Sequence, residues 1–172
     1  MKRKGFTLVE LLIVIVVIGI LSAMMMLSST EATTSAKVSN IVSNMRNIKT
    51  AALAFYTDNM DYFVKNPEDK LNNLTGELQG KNAKDEIRKY LGDGNNNAPD
   101  IKDYAVVASS ANDYTWWVMY EIKGSTAEQA AIKKKLAGRA KSLGLKGASE
   151  QDKVPANPST YTTEKYVALQ IR

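Results

Sequence analysis

Phe6-Thr7-Leu8-Val9-Glu10-Leu11-Leu12-Ile13-Val14-Ile15-Val16-Val17-Ile18-Gly19-Ile20-Leu21-Ser22-Ala23-Met24-Met25-Met26-Leu27 is an apolar run carrying a single charge, the carboxylate of Glu10. At ~1.5 Å of rise per residue it makes a helix of about 33 Å, long enough to cross a bilayer. An acid inside such a run costs roughly 2.5–3.5 kcal/mol on insertion scales, so it marks a functional position whose partner has to be identified. Lys2, Arg3 and Lys4 come directly before the run and no comparable basic cluster follows Leu27. The positive-inside rule therefore holds the N-terminus in the cytoplasm and exports the rest. Ordinary secretory cleavage is disfavoured, because the nearest small-x-small site, Leu21-Ser22-Ala23, has a bulky Leu at its outer position.

Downstream the chain becomes polar without meeting a breaker. Ser28 to Asp58 contain neither Pro nor Gly, and Val38, Ile41, Val42, Met45, Ile48, Ala52, Phe55 and Tyr56 recur at three- and four-residue spacing. Lys37, Asn40, Asn44, Asn47 and Lys49 fall mostly off that stripe. The pattern predicts one helix from Phe6 to Asp58, ~80 Å long, bare in a membrane over its first half and laid against a domain over its second. Two helices broken at Ser28-Ser29-Thr30 are the alternative, since the Ser/Thr-rich stretch to Ser35 has low helix propensity.

The remainder reads as a small mixed domain. Asp58 to Lys70 has the turn formers Asn59, Asp61, Asn66 and Pro67 and is expected to be a loop. Lys84 to Leu91 is expected to be a short helix stopped by Gly92. In the loop that follows, Asp93, Asn95 and Asn97 occupy the first, third and fifth places of a calcium-loop pattern, but Ala98 replaces its Gly and Tyr104 its bidentate Glu, so a plain solvated turn is preferred and no metal is assigned. Ile101 to Ala108 and Tyr114 to Lys123 have strand composition, joined by a hairpin loop over Ser109 to Asp113. In the second strand Tyr114, Trp116, Val118, Tyr120 and Ile122 form an apolar face that should cover the Val38 to Tyr56 stripe, as core and not as a base-stacking platform.

Ser125-Thr126-Ala127-Glu128 is a capping box opening a helix to about Leu143, with Ile132, Leu136, Ala140 and Leu143 on its buried side and Gly144 as its stop. Lys133, Lys134, Lys135, Arg139 and Lys141 make this helix basic. With Lys146 and Lys153 they are read as a solvated face, contact with DNA or an acidic surface being the alternative; no aromatic groups are interleaved with the charges, and nucleic acid is not indicated. Gly144 to Thr163, with Pro155 and Pro158, reads as surface loop. Lys165 to Arg172 is expected to be a final strand, edge or third in the sheet, with Val167, Leu169 and Ile171 facing one way.

Composition narrows the chemistry. The chain has 172 residues, enough for one membrane-spanning helix and one modest globular domain. Its net charge of +5 falls to +2 without Lys2, Arg3 and Lys4, so the basic balance says little about partners. There is no Cys and no His. Disulfides, a Cys or His nucleophile, a Ser-His-Asp triad and a His or Cys metal site are thereby excluded, and an exported domain must be held by packing alone. Catalysis would have to come from carboxylates, Lys, Ser or Tyr, and none of these is spaced for it.

Lys4-Gly5-Phe6-Thr7-Leu8-Val9-Glu10 followed by an unbroken apolar helix resembles the class III signal of type IV pilins and of the pseudopilins of type II secretion and competence systems. The resemblance is specific over about the first 25 residues and architectural beyond them. It implies cleavage between Gly5 and Phe6 by a prepilin peptidase, N-methylation of Phe6, and assembly through Phe6, Thr7 and Glu10, the Glu10 carboxylate of an incoming subunit pairing with the Phe6 amine of one already in the filament. It also implies residence in the cytoplasmic membrane with an exported C-terminus before assembly, then a homo-oligomeric helical filament at the cell surface. An assembly platform and ATPase are implied partners; no cofactor is implied. Two departures stand out: many relatives have a Pro at the place of Leu27, whereas the first Pro here is Pro67, and many close a C-terminal loop with a disulfide.

The expected organisation is a leader at 1–5, a transmembrane and polymerisation half-helix at 6–27, an amphipathic half-helix at 28–58 and a head at 59–172. The expected fold class is α+β: a long N-terminal α-helix packed on a small antiparallel β-sheet, with additional short helices. A structural filament subunit that is not an enzyme is the leading reading. A pseudopilin and, from another class, a single-pass membrane-anchored enzyme are the alternatives.

Overall fold

Leu8–Asp58 forms one uninterrupted helix of 51 residues, α1, about 76 Å long at the standard rise. The computed structural model describes residues 6–65, 77–78, 81–82, 87, 89–91, 103–108, 115–150 and 159–171. The expected leader, the calcium-like pattern in 92–100, the hairpin loop at 109–113 and Lys153 lie outside the described residues. After α1 come α2 (Met60–Lys65), a two-stranded ribbon of β1 (Glu77–Leu78) and β2 (Lys81–Asn82), then β3 (Tyr104–Ala108), β4 (Trp116–Glu121), α3 (Thr126–Leu143), β5 (Leu145–Ala148) and β6 (Tyr166–Gln170). The architecture is α+β, as the sequence predicts.

The Ser/Thr-rich stretch does not break α1. Thr33 and Thr34 turn their hydroxyls back to donate to the Thr30 carbonyl, at 3.0 and 2.8 Å, so their polar side chains are satisfied within the helix and need no turn. The helix has two different environments. From Leu8 to Met25 its apolar side chains touch nothing that buries them, Ile18 for example remaining 56% exposed. From Val38 to Phe55 the stripe Val38, Ile41, Val42, Met45, Ile48, Ala52 and Phe55 is buried.

What buries it is the inner face of a four-stranded antiparallel sheet in the order β3-β4-β6-β5. Val106, Trp116, Val118, Val167, Leu169 and Leu145 share one core with α1, and α3 closes it with Ile132, Leu136 and Ala140. Gly144 stops α3 in the left-handed region, φ 68°, its N–H returning to the Ala140 carbonyl. That leaves β5 starting one residue later.

Two expectations are corrected, and the sheet gains a second buried face. Gly144 to Thr163 is not all loop: Leu145–Ala148 is a strand, and β6 is accordingly central, paired to β4 on one side and β5 on the other. A four-residue strand is too short to show alternation, and the pairing was visible only from its partner. The sheet is also buried on both faces, for Val107, Trp117, Met119, Ala148, Tyr166 and Ala168 form a second, smaller core behind it. Finally, Met60–Lys65 is helical where a loop was expected. Asn59 ends α1, its side-chain amide donating to the Phe55 carbonyl at 2.8 Å. The chain then re-enters a helix because Phe63 has aromatic partners there: its ring centroid lies 5.1 Å from Tyr56, 5.3 Å from Trp116 and 6.3 Å from Phe55. Turn composition was outweighed by that burial. Of the expected Lys84 to Leu91 helix, Ile87, Lys89 and Tyr90 are described and helical, with Ile87 buried.

The outer edge of β5 is covered by residues returning toward β6. Gly147 donates to the Ser159 carbonyl and Tyr161 to the Leu145 carbonyl, both at 3.1 Å. Glu164 anchors this return: its carboxylate accepts from the Thr162 and Thr163 amides at 2.8 and 3.0 Å and from the Thr162 hydroxyl at 2.9 Å. It also fills the space above Gly147, where an added Cβ would come within 2.4 Å of its carboxyl carbon. Burial opposes ionisation of Glu164, but the bonds from Thr162 and Thr163 outweigh it and hold its carboxyl below the usual range.

A depressed folded-state pKa contributes stability that is present above the ordinary carboxylate value of about 4.3 and lost as pH falls through the folded value. Urea denaturation of the detergent-solubilised chain between neutral pH and pH 3 should therefore show a steeper acid loss for the native sequence than for Glu164→Gln or Gly147→Ala, the second driving the carboxylate off its donors. In the same assay Ile48→Ala should cost about 2–5 kcal/mol, as expected for a buried side chain. Ile18→Ala should leave the head's stability within about 0.5 kcal/mol, as for an exposed position.

Candidate functional site

The first turn of α1 brings together the residues singled out in the sequence. Thr7 is the N-cap, extended at φ −80° and ψ 148°, and the residue three positions on is Glu10. Thr-x-x-Glu is the capping-box spacing: the cap hydroxyl satisfies one orphan amide of the helix start while the Glu reaches back to the cap's own amide. Both halves form. The Glu10 amide donates to Thr7 Oγ1 at 3.2 Å, the Thr7 amide donates to Glu10 Oε2 at 2.9 Å, and the Thr7 hydroxyl donates to the same oxygen at 2.8 Å.

This reciprocal cap is the feature that sequence reasoning passed over. From sequence Thr7 is singled out only by the family resemblance, although the Thr-x-x-Glu spacing is legible as a helix-start signal. Its consequence is physical: within one chain Glu10 is already hydrogen-bonded at the end of the helix whose partial positive charge favours an anion. Both bonds go to Oε2. Oε1 has no hydrogen-bond partner among the described residues, so the carboxylate keeps one oxygen for another donor. Phe6, one residue before the cap, is 86% exposed. Gly5 lies outside the described residues.

Around this polar tip the helix offers only apolar surface. Leu8, Val9, Leu11 and Leu12 flank it, and the bare sleeve continues to Met25. A contiguous apolar surface of that extent, far beyond the few hundred Å² that soluble monomers expose, marks a membrane or a protein partner.

The other sequence candidates are placed away from this tip. The basic side chains of α3 are partly absorbed into the fold: Glu128, near the start of α3, pairs with Lys37 of α1, and Lys135 donates to the Glu31 carbonyl at 3.0 Å and to the Ser35 hydroxyl at 2.6 Å. The Lys37 ammonium, with a bond from the Ser125 backbone, keeps the Glu128 carboxyl below the usual range. Lys146 lies on β5, paired with Ala168 of β6. Among the described residues no three His, Cys, Asp or Glu side chains are gathered as metal ligands.

Comparison with known families gives a match over residues 1–26. The chain carries the prokaryotic N-terminal methylation motif. That motif is characteristic of type IV pilin and pseudopilin precursors; it implies processing by a prepilin peptidase and assembly into a pilus-like filament. The match covers the basic residues Lys2 to Lys4, the Thr7 to Glu10 cap and the bare sleeve from Leu8 to Met25, and stops short of the globular domain. Neither the curated proteins nor the solved structures yield a match to the chain.

Replacing Thr7 by Ala removes the hydroxyl that caps the helix and leaves Glu10 with the backbone amide alone. The expected cost is about 1 kcal/mol at the first turn. Amide exchange of Val9, Glu10 and Leu11 in detergent micelles should accelerate roughly fivefold in Thr7→Ala, with amides of the Val38 to Phe55 segment unaffected.

Proposed function

We propose that this protein is a structural subunit of a type IV pilus or pilus-like filament, cut between Gly5 and Phe6, methylated at Phe6, and polymerised through α1. The single observation that carries the reading is a helix whose first half is bare of any intramolecular cover while the methylation motif spans that same half. A sleeve of this kind is stable in lipid before assembly and between neighbouring helices afterwards, since both environments keep its apolar surface from water. The domain division follows: a leader at 1–5, an anchor and polymerisation segment at 6–27, an amphipathic connector at 28–58 and a head at 59–172.

Glu10 acts in register. Cleavage frees the Phe6 nitrogen as an amine of reference pKa about 8, largely protonated at neutral pH. In a filament, Glu10 of an incoming subunit accepts from the Phe6 amine of its neighbour through Oε1, while Oε2 retains the Thr7 bonds. An ion pair formed away from water is lost at high cost when one member is removed, about 3–5 kcal/mol in buried settings. The cap lessens the burden on the free subunit, because the carboxylate waiting in the membrane is already hydrogen-bonded. A mispositioned subunit lacks the amine, and the penalty discriminates against it.

Sheared-fibre and membrane fractions, examined by N-terminal mass spectrometry, test the reading. A chain beginning at N-methylated Phe6 in the fibre fraction is the expected result; the same terminus confined to the membrane fraction assigns the chain to a pseudopilus, and a chain that retains residues 1–5 in both overturns the proposal. Glu10→Ala should be processed normally but yield at least about tenfold less fibre, since about 1.4 kcal/mol per contact is already a factor of ten.

A further inference from the structure

Where α3 begins beside α1 there is an open crevice of about 810 Å³, lined among others by Thr30, Glu31, Lys37, Ala131, Lys134 and Lys135. Its volume lies within the range of small-ligand sites. Its charges are unevenly matched. Lys37 and Glu128 neutralise each other. Lys135 is held by two neutral oxygens, the Glu31 carbonyl and the Ser35 hydroxyl, which orient its ammonium without compensating it. Lys134 has no hydrogen-bond or ion-pair partner among the described residues. Against these two ammonium groups stands the single carboxylate of Glu31, so the crevice retains one net positive charge.

Its height along α1 is equally specific. With Phe6 at one edge of a ~30 Å hydrocarbon core, ~1.5 Å per residue places the far edge near Met25. Thr30 then sits roughly 7 Å beyond it, within the headgroup layer that adds some 5–8 Å on each side. The crevice thus opens where the phosphodiesters of the outer leaflet lie. We infer that it holds the phosphodiester headgroup of an anionic phospholipid, Lys134 and Lys135 contacting the phosphate, while the subunit is still in the membrane. A phosphodiester carries one negative charge, the complement of the crevice. In a zwitterionic lipid that charge is already matched by the lipid's own ammonium, which is why an anionic headgroup is favoured. Bound there, a lipid fixes the first half of α3 against the membrane surface until α1 is withdrawn.

The inference rests on the membrane-anchored reading of α1, and the experiment separates the two. The chain has no Cys, so Ala130→Cys at an exposed position of α3 accepts a single fluorophore. The full-length protein is reconstituted in nanodiscs of phosphatidylcholine with increasing phosphatidylglycerol and a trace of headgroup-spin-labelled lipid as quencher. Quenching should rise with the phosphatidylglycerol fraction and reverse at about 0.5 M salt, where interactions between exposed charges are largely screened. Lys134→Gln, which breaks no contact of the fold, should raise the phosphatidylglycerol needed for half-maximal quenching about fivefold, and Lys134→Gln with Lys135→Gln roughly 25-fold. Lys141→Gln, beyond the crevice, should leave it unchanged. Equal quenching in neutral discs, or indifference to Lys134→Gln, overturns the inference while the anchor stands. Displacement by millimolar glycerol phosphate assigns the crevice to a free anion and overturns the lipid as its occupant. A chain that fails to co-migrate with the discs overturns the anchor and this inference together.

Discussion

Burial of the Val38 to Phe55 stripe of α1 under the β3-β4-β6-β5 sheet is the contact on which the rest of the molecule depends. Every other element of the domain core meets either that stripe or the sheet that covers it. Because α1 is one helix without a break, this packing also fixes the rotational setting of the bare segment from Leu8 to Met25 relative to the head. A kinked or two-piece helix would loosen that relation. Thr33 and Thr34 satisfy their hydroxyls within the helix, and the break that the Ser/Thr-rich stretch left open as the alternative does not occur.

The two halves obey different physical rules. In the head, apolar side chains are paired with other side chains and the buried polar atoms that are described all have partners. In the first half, apolar side chains are left for an environment that the chain does not supply, and the one acid is satisfied by the helix terminus it helps to form. An unpaired carboxylate in lipid is expensive, and a capped one is less so. On the filament-subunit reading proposed above, the Thr7 to Glu10 cap makes the carboxylate tolerable in a solitary subunit while leaving Oε1 for a donor from a second one.

Charge placement in the head follows a related economy of position. The pairs Lys37 with Glu128, Lys123 with Asp103 and Lys165 with Glu121 lie at exposed sites. Exposed pairs add little to stability, commonly under about 1 kcal/mol. Their effect is to cancel charge locally, so that Lys134 and Lys135 stand out as the uncompensated cations beside the α1 crevice. Glu164 is different in kind: it is tied to backbone amides and shapes the return from Ser159 to Tyr166 along β5.

Sequence alone determined the long helix, its bare and buried halves, the capped helix α3 with its Gly144 stop, and the inward face of β6. Each of these rests on a period or a cap formed by neighbours a few residues apart, which local sequence encodes directly. The residues proposed for the candidate site were legible there as well, since Lys4, Gly5, Glu10 and the apolar run are contiguous. Only the tertiary structure decided that Leu145–Ala148 is a strand, that β6 is central, that Trp117 and Met119 are buried on the far face, and that α2 follows α1 without a loop. Those outcomes come from partners distant in the chain: β6 for β5, a second core for the outer face of β4, and Tyr56 with Trp116 for Phe63. No local pattern specifies such partners, because burial depends on which surfaces the completed fold brings into contact.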